Sequence, residues 1–155
     1  MDLQIKTGKK VYTLKDEYGN EIGKIAFNPG DQNFVARVKG FKDYLESEDG
    51  TVAEIDRLSN EGKVEEAIEL MTKLDKNIKA KIDEIFDANV SDIVFGNACC
   101  LSKLEDGTIF VESFLTSILP EYKKMMSKSN EKVQQYTRGY INDRSASHKH
   151  RRKRK

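Results

Sequence analysis

Two thiols, two imidazoles and a run of cations are the side chains of this sequence best equipped for chemistry. Cys99 and Cys100 are adjacent and are the only cysteines among the 155 residues. Neighbouring cysteines seldom reach the geometry of an unstrained disulfide with each other, and one pair makes no disulfide framework. A redox or metal pair would need further donors. No third thiol exists, and the two histidines, His148 and His150, lie far downstream among cations. Burial as two small apolar side chains beside Ala98 and Leu101 is the preferred reading.

The constellations of catalysis are missing. The sequence has no Walker-type phosphate loop, no Gly-x-Ser-x-Gly elbow and no His-Glu-x-x-His helix. Histidine, the usual acid or base near neutral pH, occurs only in a segment too polar to hold a reacting group at fixed geometry. Asp83, Glu84 and Asp87 offer oxygens for a hard cation, and Glu65, Glu66 and Glu69 form a second acidic cluster. Both sit where an amphipathic helix places solvated charge. The run from Asp16 to Glu21 lacks the acidic spacing of a calcium loop and reads as a turn. The expectation is a protein that is not an enzyme, with no catalytic residue, no metal ligand and no cofactor.

Charge is uneven behind a nearly neutral total of +1. Arg144, Lys149, Arg151, Arg152, Lys153, Arg154 and Lys155 put seven cations against the single Asp143 over 143–155, a balance of +6. Residues 1–142 are left with 20 basic and 25 acidic side chains, a balance of −5. The expected organisation is therefore one domain over 1–142 and a disordered basic tail over 143–155. Such a tail suits a protein surface, a solubilising end or nucleic acid. Without aromatics it offers charge and no stacking platform.

The elements that must position any site follow from periodicity. Val11–Leu14 and Ile22–Phe27 are β-branched and aromatic runs on either side of Asp16-Glu17-Tyr18-Gly19-Asn20, a hairpin over about 1–27, to which Leu3 and Ile5 can add a strand. A lone hairpin is marginal in water, so it must pack on helices or on a neighbouring chain. After Asn28-Pro29-Gly30, Asp31 caps a helix whose face is Phe34, Val38, Phe41 and Leu45. Glu46 to Gly50 reads as a break, and Thr51 with Glu54 as a capping box opening a short helix that ends near Gly62.

Val64, Ile68, Met71, Leu74, Ile78, Ile82 and Ile85 then recur three or four residues apart. They form one stripe on a helix about 30 Å long. It can be a bundle core or a partner seam, and bundle core is preferred. Ser91 to Gly96 fits a single turn, and Phe110, Phe114, Ile118 and Leu119 mark another helix, expected to stop or kink at Pro120. Tyr122, Met125 and Met126 continue an apolar face, and Val133, Tyr136 and Tyr140 suggest a final polar helix. The fold class is α+β and mostly α: an N-terminal β-hairpin followed by a helical bundle. With only 37% hydrophobic residues the core is modest, and no run is long and apolar enough for a membrane span. The opening residues lack the pattern of a secretion signal, which makes cytoplasmic synthesis the expectation.

Phe27-Asn28-Pro29-Gly30-Asp31, the passage from Ile82-Asp83-Glu84-Ile85-Phe86 to Val94-Phe95-Gly96, Phe114-Leu115 before Pro120, and Tyr136-Thr137-Arg138-Gly139-Tyr140 are together similar to the tail assembly chaperones of long-tailed, siphovirus-like bacteriophages and prophages. The similarity spans roughly 22–140, a pattern of spacing and aromatics. The resemblance implies a small, mostly helical protein of the infected bacterium's cytoplasm, absent from the mature virion. Such proteins bind the tape measure protein, keep it soluble and help recruit tail tube subunits, so the implied partners are the tape measure and major tail tube proteins. The family often has a longer frameshifted form as well. The vicinal cysteines and the basic end depart from the family pattern. On this reading Val64, Ile68, Met71, Leu74, Ile78, Ile82, Phe110, Phe114 and Tyr122 are the candidate contacts for a helical client. A homo-oligomer fits an edge-bearing hairpin. The competing reading is a small nucleic-acid-associated protein whose body oligomerises and whose tail binds DNA or RNA.

Overall fold

The computed structural model describes residues 1–124. Tail residues Arg144 to Lys155, and the expected helix through Val133, Tyr136 and Tyr140, lie outside the described residues. Strands β1 (Lys10–Lys15) and β2 (Glu21–Phe27) pair antiparallel, with Tyr12 opposite Ile25 and Leu14 opposite Gly23. The Asp16 carboxylate closes the turn by accepting the amides of Tyr18 at 2.9 Å and Asn20 at 2.8 Å. Gly19 there takes a φ of +84°, a conformation that costs a glycine little. The third strand does not form. Residues 1–9 carry no regular structure and leave Leu3 and Ile5 exposed, since two alternating apolar positions bury too little to hold a strand.

Helix α1 (Gln32–Ser47) begins at Asp31, whose side chain accepts the Asn33 amide at 3.0 Å. Phe34 and Phe41 are buried, with Val38 and Leu45 packed beside them. The expected break over 46–50 is almost absent: α2 (Asp49–Asn60) starts one residue beyond α1. Thr51 and Glu54 form no capping box, because both already lie inside α2. The Thr51 hydroxyl donates to Glu48 Oε2 at 2.6 Å, and Glu54 binds Arg57. Gly62, at φ +79°, separates α2 from α3 (Val64–Phe86), 23 residues or about 35 Å long. Asp87, in the left-handed region at φ +50°, ends it, and Arg37 Nε donates to the Ile85 carbonyl at 2.9 Å.

Asp83 does for α4 (Ser91–Phe95) what a capping residue would do. Its carboxylate accepts the amides of Val90 and Ser91 at 2.9 and 2.8 Å and the Ser91 hydroxyl at 3.0 Å. A chain reversal with a single bridge between Lys103 and Ile109 leads to a last helix, α5, over 110–124. Pro120 corrects the expectation of a stop there, since the helix runs through it. Its ring faces solvent, where the backbone carbonyl it leaves without an amide partner can be hydrated.

Aromatic rings join these elements. Phe27 of the hairpin stacks on Tyr12 at 4.5 Å and on Phe34 of α1 at 5.0 Å, and meets Phe86 of α3 edge-on at 5.6 Å. Phe86 continues to Phe114 of α5 at 5.8 Å, and Phe95 of α4 contacts Phe110 and Phe114. Each pair is worth about 0.5–1.5 kcal/mol beyond burial, so the hairpin packs on its own helices. Gly23 permits the approach of α4 to β2: a Cβ there would stand 2.5 Å from Ile93 Cγ2. All of this lies in a compact unit, Met1–Ile118. A second unit starts at Leu119, which is exposed, and includes the half-buried Tyr122. Among the described residues, no helix is long and apolar enough to cross a membrane.

Candidate partner-binding surface

The apolar stripe of α3 divides between interior and solvent. Leu74, Ile78, Ile82 and Ile85 are all buried, Ile82 completely. Val64 is 55% exposed, Ile68 58% and Met71 39%. In this fold, then, Leu74, Ile78 and Ile82 are core, out of a partner's reach. So is Phe114, while Phe110 is half-buried against Phe95. Of the candidate contacts on α3, the structure leaves Val64, Ile68 and Met71 to solvent.

The division has a local cause. Ile55 and Leu58 of α2 and Ala67 of α3 are buried, so the first half of α3 turns its small Ala67 toward the core and its larger Val64 and Ile68 away. Farther along, the segment 98–100 lies over the helix. Asp75 Oδ1 accepts the Cys100 amide at 2.8 Å, and Lys79 Nζ bridges Asp75 Oδ2 at 3.0 Å and the Ala98 carbonyl at 2.8 Å. Met71, Asp75 and Lys79 stand four residues apart, on one side of the helix. The side that is apolar and bare at Met71 is thus polar and covered one turn later. Beside the bare part is an open depression lined by Ile68, Glu69, Thr72, Lys73 and Lys76.

Cys100 is fully buried and Cys99 half-buried. Burial pushes both thiols up, Cys100 far more, with Asp75 adding to the shift in each. Such thiols stay protonated and unreactive. Burial alone would also push the Asp75 carboxyl up, but the Cys100 amide and Lys79 outweigh it and hold the group below its ordinary value. The bond between Asp75 and Cys100 is what sequence reasoning missed. Asp75 and Lys79 are one helical turn apart and lie outside the apolar stripe, and the third member of the arrangement comes from 25 residues away. Asp83 is committed to the α4 amides, and the described residues contain no group of three donors that could hold a metal ion. Comparison of the chain with protein-family models, curated proteins and solved structures finds no match.

Proposed function

We propose that this chain is a tail assembly chaperone of the long-tailed-phage type, a non-enzymatic protein that binds a helical tape measure protein, keeps it soluble and helps recruit tail tube subunits. The observation that carries the reading is the bare end of α3, where Val64, Ile68 and Met71 continue a core seam into solvent. Burying one such side chain fully is worth about 1.5–3 kcal/mol, so a long amphipathic client gains from each copy that covers part of its seam. Binding of this kind is helix-on-helix recognition and needs no cofactor. The resemblance of 22–140 to those chaperones supports the same reading. On this reading the protein works in the host bacterial cytoplasm and is absent from the finished virion.

Co-expression with the long helical protein encoded downstream tests this. The expected outcome is that the client stays soluble and co-purifies, and that Ile68→Asp abolishes both while the chaperone itself stays folded. No rescue and no co-purification sinks the reading. The cation run Arg151 to Lys155 favours a second reading, nucleic-acid association. Binding to DNA that collapses between about 50 and 200 mM salt, and disappears on deletion of 144–155, would establish it.

A further inference from the structure

We draw no further inference here: the strongest candidate, the bare apolar face of α3 at Val64, Ile68 and Met71 with the open depression beside it, belongs to the surface already described, and nothing in the structure shows what else covers it.

Discussion

Asp75 accepts the Cys100 amide and faces the Lys79 ammonium, so one carboxylate ties the segment 98–100 to the longest helix. Its side chain is 16% exposed, and little solvent screens the arrangement. Because its folded value is depressed, the stabilisation it gives is complete above the unfolded carboxylate range, at about pH 5, and is lost as pH falls through the folded value. Asp75→Ala is expected to cost about 1–3 kcal/mol at neutral pH, the penalty of leaving a buried amide without its acceptor. Asp75→Asn keeps an acceptor and removes the charge, so its melting temperature should fall less between pH 6 and 3 than that of the wild type, over about three units of acidification. Equal slopes for the two proteins would assign the acid sensitivity to other carboxylates. At this scale the sequence was legible only in part. The burial of the two thiols could be read from their type and neighbours, but an amide brought to Asp75 from another segment leaves no local signature.

Within α3 the consequences differ from end to end. Ile82, with no exposed surface, is expected to lose about 2–5 kcal/mol on replacement by alanine. Ile68, more than half exposed, should change stability by no more than about 0.5 kcal/mol under the same replacement. Urea denaturation of the two variants measures both, and similar losses would contradict the division of the stripe. The hairpin, the Asp31 cap and the helix over 64–86 were legible because each rests on a pattern within a few residues. Periodicity tells which side of a helix is apolar. It does not tell where along that side the neighbours run out, and so the stripe read as uniform. The misplaced capping box has a related cause: Thr51 with Glu54 has the right spacing, but Glu48 offered the hydroxyl a carboxylate once α2 had started earlier. The passage of α5 through Pro120 depends on solvent around that turn, which no local pattern encodes.

Over the whole molecule, every buried apolar side chain among the described residues lies between Ile25 and Ile118. The described core is thus complete without residues 144–155, whose one apolar side chain is the small Ala146. Deleting 144–155 is expected to leave the melting temperature within about 2 °C of the full chain, since changes away from packed groups stay near 0.5 kcal/mol. Differential scanning calorimetry decides this, and a large drop would show that the tail braces the body. The fold class was legible from the change of period after Asn28-Pro29-Gly30. The aromatic ladder that anchors the hairpin was not, because Phe27, Phe34, Phe86 and Phe114 meet only once the chain has closed on itself. The same charge imbalance separates the two functional readings: a helical client needs the body, and a nucleic acid needs the tail.

The seam of α3 also restricts how the gene can drift. A residue inserted between Thr72 and Lys73 would rotate everything before it by about 100° relative to the anchored half. Ile68 would leave its side of the helix even though every residue on both halves was kept. Substitutions on the polar sides of α3 are free to accumulate, but its length between Met71 and Leu74 is not. Descendants of this sequence should vary there in letters and hold constant in count.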